Sequence, residues 1–534
     1  MQGAARLIHR APRPIHVTDL TLEIGRSLPD QETPSDYQTL LGLVRLHGTP
    51  VGWIDQGLES ARCDGRALTA SILARHESAI LEHLLSDALA NGRFSGRPRD
   101  LIETPHPSRS EPGASLTVAV CTRDRPVELA GCLASLSRLD PPATAVLVVD
   151  NAPADGRTER LVRANHPGVR YVREPRPGLS SARNRAIAEC QTEILAFVDD
   201  DGRVDGHWAR AITDVLTACP EAMAVTGLVV PNELVTDAQI AFEHHGGFGR
   251  GFRRRWIRRE RDRPAAPHLA NTGTFGTGTN VAFRRAVFDE IGTFDPALGA
   301  GSATGGGEDL DIFFRVLQAG HALVYEPAAL VRHRHRSDAA AVRDQIRSWG
   351  AGMHAHLLRN SRAFPDDRGG LMRLRTGLLL LYYPRRILES LVNPRLRVSL
   401  TTAELQGALS AGVLYRRARA DAATAHAGGT HPINGAARRH TPSVPGRAIR
   451  ELTLDLGDPM PPVVIDAHDA DRIRLDVRHH GRPVGEVDIV SGGHPLRRAE
   501  AADAIAASLL EQLVDIPACG SALRDACRTT AVSD

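Results

Sequence analysis

The stretch EILAFVDDDGRVDGHW, Glu193 to Trp208, carries an apolar run straight into three consecutive carboxylates, Asp199, Asp200 and Asp201. Along extended backbone, residues two apart face the same way, so Asp199 and Asp201 converge while Asp200 points elsewhere. Carboxylates clustered without cysteine suit a hard divalent cation, Mg2+ or Mn2+, better than zinc. A calcium loop fails here, because its fifth position is Arg203 and its twelfth Arg210. An ion held by two carboxylates keeps open positions, which substrate phosphates ordinarily fill. The repulsion is then offset by a cation and a diphosphate. A cap on a helix starting near Gly206 needs one acid, not three.

Working outward, short β-branched runs alternate with helical periodicity. LTVAVCT reads as a strand, PVELAGCLASLSRL puts Leu129, Cys132, Leu133 and Leu136 on one helical face, and AVLVVDN is a strand again. VRYV, the helix after PGLSSARNRAIAEC, EILAFV and AMAVTGLVV continue the pattern. Such βαβ units predict an α/β fold: a mostly parallel sheet with helices on both faces, its site at the carboxyl ends of the strands.

The whole chain sets bounds on what that site can do. With 534 residues it exceeds one core. A net charge of +2 argues against wrapping nucleic acid. All 65 basic residues are arginine, which removes the lysine-dependent phosphate loop, the Schiff base and the kinase strand lysine. Seven scattered cysteines, none spaced as C-x-x-C, read as reduced thiols of a cytosolic protein. The first twenty residues lack the apolar core of a signal peptide. TGLLLLYYPRR, Thr376 to Arg386, comes closest to a membrane span but is too short. Two readings stand: the end of a core helix, or a segment on the cytoplasmic face of a membrane, with Tyr382 and Tyr383 at headgroup level and the arginines on lipid phosphate.

A repeat flanks the sheet-forming block. VRLHGTPVGWID (Val44 to Asp55) and VRHHGRPVGEVD (Val477 to Asp488) agree at eight of twelve positions, and ILEHL (Ile80 to Leu84) and LLEQL (Leu509 to Leu513) close helical segments after them. Each unit reads strand, turn, strand, helix, and one alone buries too little to be stable. The two copies are therefore expected to pack on each other; independent copies of one adaptor are the alternative. The expected organisation is an N-terminal accessory segment (1–112, first repeat about 37–90), a catalytic block (113–340), a helical extension (341–425), a linker (426–460) and the second repeat (461–534).

VAVCTRDRP, VLVVDNAPAD, PGLSSARNRAIAEC, AFVDDDGRV, GTGTNVAFRR and GGGEDLDIFFRVLQAGH, in that order over about residues 115 to 340, resemble the family-2 glycosyltransferases of the GT-A fold. The resemblance implies an inverting transferase with a nucleoside-diphosphate sugar donor, a hydroxyl acceptor (glycan, lipid-linked or small molecule) and Mn2+ or Mg2+. Thr122 and Asp150 match contacts to base and ribose, Arg183 a position near the nucleotide, and Asp200 the ribose. Asp199 and Asp201 match the D-x-D metal motif. Gly278 and Asn280 match the strand lining the donor-sugar pocket, and Asp309 the general base. Glu308, with Gly306 and Gly307 before it, falls on the acceptor side, where glycines let backbone approach a ligand. His333, in RHRHR, is a candidate third metal ligand or a plain loop histidine. The arginine-rich run GRGFRRRWIRRERDR, Gly249 to Arg263, falls at the family's acceptor loop and implies an anionic acceptor; a solvated loop paired with Glu260 and Asp262 is the alternative. Two rival functions stay open. One is a nucleotidyltransferase, although CTRDRP lacks its glycine-rich phosphate loop; the other is an inactive scaffold binding glycans or partners through the repeats.

Overall fold

The computed structural model describes residues 14–92, 94–105, 114–260, 271–393, 395–425 and 449–529. They fall into two compact units. The first holds 114–251 and 271–425; the second holds 14–105, 252–260 and 449–529.

The first unit is built on a mixed sheet. Its strands run, edge to edge, Gly202–Val204, Ala322–His333, Ala222–Pro231, Asn280–Arg284, Ile194–Asp199, Leu116–Thr122, Ala145–Asn151 and Arg170–Glu174. Most neighbours are parallel, and helices cover both faces, which is why the inner strands are continuous apolar runs. Two strands break the pattern. The edge strand Gly202–Val204 runs antiparallel to Ala322–His333. Asn280–Arg284 runs antiparallel to both neighbours, with Asn280 opposite Val198. Its start therefore lies beside the end of the Ile194–Asp199 strand, and Thr279 meets Asp199. On the other side, Cys121 pairs with Asp199 and Thr122 with Asp150, so strand ends converge at one level.

Beyond the sheet, the helices Ala339–Ala363 and Val398–Ala425 cross at reciprocal glycines. A Cβ on Gly350 would strike the Glu404 carbonyl, and one on Gly407 the Arg347 carbonyl. The Gly305–Gly307 run has a similar cause. Gly307 has φ +93°, and a Cβ there would meet Gly352 of the Ala339–Ala363 helix. The close approach at Gly307 is thus to a helix backbone. TGLLLLYYPRR also differs from its reading as a helix end. Leu378–Tyr382 forms a wide π-turn and the helix resumes as Tyr383–Val392, because the wide turn accommodates the amide that Pro384 lacks. Tyr383 is buried, not at a headgroup level, and its ring lies 6.1 Å from that of His354. No helix among the described residues is long and apolar enough to cross a membrane.

The second unit contains both copies of the repeat, and each copy is one strand longer than its sequence match. Ile15–Leu22 runs parallel to Thr39–Leu46, which hairpins with Thr49–Gly57; Ile449–Asp455 runs parallel to Arg472–His479, which hairpins with Arg482–Val490. The added strand covers what would be an open hairpin edge. This corrects the linker boundary: Ile449–Asp455 belongs to the second copy, which begins before residue 461, and 426–448 lie outside the described residues. Both hairpins turn through a histidine and a glycine at positive φ, His47–Gly48 and His480–Gly481, the geometry of a tight two-residue turn matching strand twist. One buried core takes Leu68, Ile72, Ile80 and Leu84 from the first copy and Ile473, Leu475, Val477 and Ile505 from the second. Ser86 Oγ donates to Asp503 at 2.7 Å, and Arg524 to Glu77 at 2.6 Å.

Residues 252–260 also belong to this unit. Arg253 pairs with Glu82, Arg254 and Trp256 Nε1 with Asp503, Arg258 with Glu500, and Glu260 with Arg472. These arginines are set against carboxylates of both copies. Asp262 lies outside the described residues.

Candidate active site

The three aspartates sit where the Ile194–Asp199 strand turns into Gly202–Val204, and each meets different neighbours. Asp199 Oδ2 accepts from Thr279 Oγ1 at 2.7 Å. Asp200 is buried and accepts from Thr122 Oγ1 at 2.7 Å and Arg125 at 2.6 Å. Burial pushes its carboxyl up to about 7, against the pull of Arg125 and with a push from Asp201. Asp201 accepts from Arg125 at 2.8 Å and lies 3.2 Å from His333 Nε2. Burial would raise its pKa, but His333 and Arg125 win and hold it well below the usual carboxylate range.

His333 reaches this place because the Ala322–His333 strand ends opposite Gly202. Its Nδ1 lies 3.0 Å from His335 Nδ1, and His335 Nε2 lies 2.8 Å from Glu243 Oε1. With one proton per ring, donors run from His333 through His335 to the Glu243 carboxylate, which leaves the His333 Nε2 lone pair facing Asp201. Burial lowers the His333 pKa, yet the Asp201 carboxylate reverses the shift and raises it. Two lone pairs in contact call for a cation or a proton between them. Asp199, Asp201 and His333 each offer a ligand atom within 4.8 Å of the others. Two carboxylates and an imidazole fit one divalent ion of the magnesium or manganese type.

Asp150 is fully buried at the end of its strand. One oxygen accepts from Tyr171 Oη at 2.7 Å; the other has no protein partner. Burial raises its pKa. A buried acceptor lacking a donor fits a ligand N–H or hydroxyl.

Asp309 opens the Glu308–Gln318 helix. Its Oδ2 accepts from the Gly278 amide at 2.9 Å and its Oδ1 from Leu310 at 2.8 Å. Gly278 and Thr279 are adjacent, so one dipeptide joins Asp309 to Asp199 through two hydrogen bonds. A Cβ on Gly278 would crowd both Arg183 and Asp309 Cβ. Glu308 is buried beside them; burial and then the Asp309 charge push it up to about 7, opposed by Arg183.

Two expected ligand contacts have other work. Arg183 is 2% exposed and donates to Glu308 at 2.9 Å and to the Gly278 carbonyl at 2.9 Å, with Asp199 at 3.6 Å and the Phe197 and Phe294 rings within 5.7 Å of its guanidinium carbon. It ties the start of the Glu308–Gln318 helix to Gly278 and lies close to Asp199. Asn280 is buried: it accepts from Trp208 Nε1 at 2.8 Å and donates to the Leu228 and Ala329 carbonyls. It holds neighbouring strands together.

The sequence reading missed Arg125 and Thr279. Arg125 precedes Pro126, whose fixed φ starts a helix, so the guanidinium stands at a strand-to-helix mouth facing Asp200 and Asp201. The signal was present in CTRDRP, but its partner lies across the sheet.

Residues 117–292 match the family described as Glycosyl transferase family 2. The chain is 26% identical over 292 residues to a pre-mycofactocin glycosyltransferase of Mycobacterium tuberculosis (strain CDC 1551 / Oshkosh), covering 54% of this chain and 52% of that protein. It is 31% identical over 226 residues to the succinoglycan biosynthesis protein ExoM of Rhizobium meliloti (strain 1021), covering 40% of this chain and 65% of the relative. The chain thus spans about half to two-thirds of these relatives. Among solved structures, a mannosyltransferase from Pyrobaculum calidifontis in complex with GDP-Man and Mn2+ aligns over 66% of this chain and 89% of its own, at 18% identity and a TM-score of 0.34.

Proposed function

Because residues 117–292 are a family-2 glycosyltransferase domain of GT-A fold, we propose that this chain moves a sugar, with inversion, from a nucleoside-diphosphate sugar to an acceptor hydroxyl. The observation that carries the reading is the Gly278–Thr279 bridge, which ties the Asp309 carboxylate to Asp199 of the acidic cluster. In this scheme Asp309 takes the acceptor proton as its oxygen attacks the anomeric carbon, while the bond from that carbon to the departing diphosphate oxygen breaks. Asp199, Asp201 and His333 would hold a divalent ion, which would supply positive charge for the diphosphate. Asp150 receives a donor from base or ribose. Arg183 fixes Glu308 and Gly278, so the helix carrying Asp309 stays aligned with the aspartates.

The test is product analysis with UDP-, GDP- and dTDP-sugars and Mn2+. Release of a nucleoside diphosphate, with a product anomer opposite to the donor's, is expected. Pyrophosphate release would replace the proposal with nucleotidyl transfer, and glycan binding without turnover would replace it with a scaffold.

We also propose a peripheral membrane contact for the helical extension, on a separate observation. Leu380, Leu381, Leu388, Leu391 and Val392 are 66–84% exposed, and Arg373 and Arg385 are exposed near them in sequence. Apolar side chains beside arginines suit an anionic lipid surface, and a lipid-linked acceptor fits that placement. Co-sedimentation with phosphatidylglycerol vesicles, reduced in the Leu381→Asp, Leu388→Asp double variant, is expected; a wild-type chain that stays in solution sinks the idea.

A further inference from the structure

The first copy of the repeat carries a ligand set that the second lacks. His83 and Asp87 stand one turn apart on the Gly65–Ala90 helix, hence on one face. The hairpin turn brings His47 to them. His47 Nδ1 lies 3.1 Å and His83 Nε2 3.3 Å from the same oxygen, Asp87 Oδ2, and all three ligand atoms fall within 4.8 Å of one another. Atoms bound to one tetrahedral ion at about 2.0–2.1 Å are separated by about 3.3–3.4 Å. The two spacings to Asp87 Oδ2 are near that of a coordination shell.

The second copy serves as an internal comparison. In register, Thr39 and Arg472 hold the same place in their sheets, so His47 corresponds to His480 and Thr21 to Asp455. There, Asp455 secures the turn by accepting from the His480 and Gly481 amides at 2.8 and 2.6 Å. Thr21 has no carboxylate to do this. Matching ILEHL to LLEQL places Gln512 and Ile516 where the first copy has His83 and Asp87. The copy without the turn-holding aspartate is the one with two imidazoles and a carboxylate.

We propose that His47, His83 and Asp87 bind a zinc-type divalent ion that ties the first hairpin turn to its helix. Two imidazole nitrogens with one carboxylate and no thiolate suit such a borderline ion, with water in the remaining position. The site is chemically distinct from the carboxylate-dominated Asp199, Asp201 and His333 set.

The test uses the full chain carrying Asp201→Asn, which weakens the other site, freed of metal by a chelator and titrated calorimetrically with Zn2+. One equivalent per chain is expected. His83→Gln, which installs the second copy's residue, and His47→Gly, which suits the turn's φ of 52°, should each weaken binding by more than about tenfold, the loss that even a ligand's hydrogen-bond partner causes. Co2+ should give a visible d–d spectrum in the parent that both variants lose. Absence of Zn2+ binding in the parent, or unchanged affinity in both variants, overturns the proposal.

Discussion

Around the Asp309 site five carboxylates, Asp199, Asp200, Asp201, Glu308 and Asp309, face Arg125, Arg183 and His333. In the second unit, Arg253, Arg254, Arg258 and Arg472 are set against Glu82, Asp503, Glu500 and Glu260. The second arrangement balances its own charge, as expected of groups that hold structure. The first keeps a negative surplus at buried or half-buried positions, which isolated folding would not favour. A surplus of that sign is suited to a ligand that brings positive charge.

If the contrast holds, Asp309→Asn should lower transfer by about 10²–10⁴-fold while leaving nucleotide-dependent thermal shifts intact. Steady-state rates alongside melting curves check both halves; an active variant breaks the comparison. In the second unit the effect should fall on stability. Arg258→Met leaves Glu500 buried without its cation and should cost about 3–5 kcal/mol of unfolding free energy, read from urea midpoints. Transfer by the surviving folded fraction should be retained.

A smaller effect sharpens the point within the first unit. His354 is fully buried, and neither ring nitrogen has a hydrogen-bond partner; burial, then Arg375 and His356, depress its pKa to about 3. The folded state thus favours the neutral ring. Its contribution is present above about pH 6.5 and is lost as pH falls toward 3. At pH 5 the deficit relative to pH 7.5 should be about 2 kcal/mol. It should shrink in His354→Leu, measured by urea unfolding at both values.

What the sequence disclosed follows from how local each signal is. The apolar strands and the helix opened by Glu308 and Asp309 depend on near neighbours, and they stand in the structure where the periodicity placed them. Strand alternation does not carry past Asp199, because Asp200 and Asp201 lie in a turn and both accept from Arg125. The protein contacts of Arg183, Asn280 and Gly307 were not legible because they are made with residues far along the chain: Glu308, Trp208 and Gly352. The strands Ile15–Leu22 and Ile449–Asp455 escaped for a related reason. They pair in parallel with strands beyond a loop, and IHVTDLTL and IRELTLD lack the identity that exposed the hairpins.

The shared core of the second unit has a consequence for biosynthesis. Its first strands leave the ribosome with Leu68, Ile72, Ile80 and Leu84 complete, yet Ile473, Leu475 and Val477, which lie in the same core, are translated only after the entire sugar-transfer segment. Throughout that interval the nascent half-domain presents a greasy, unmatched surface to chaperones, until the strands and helix of the second copy are made.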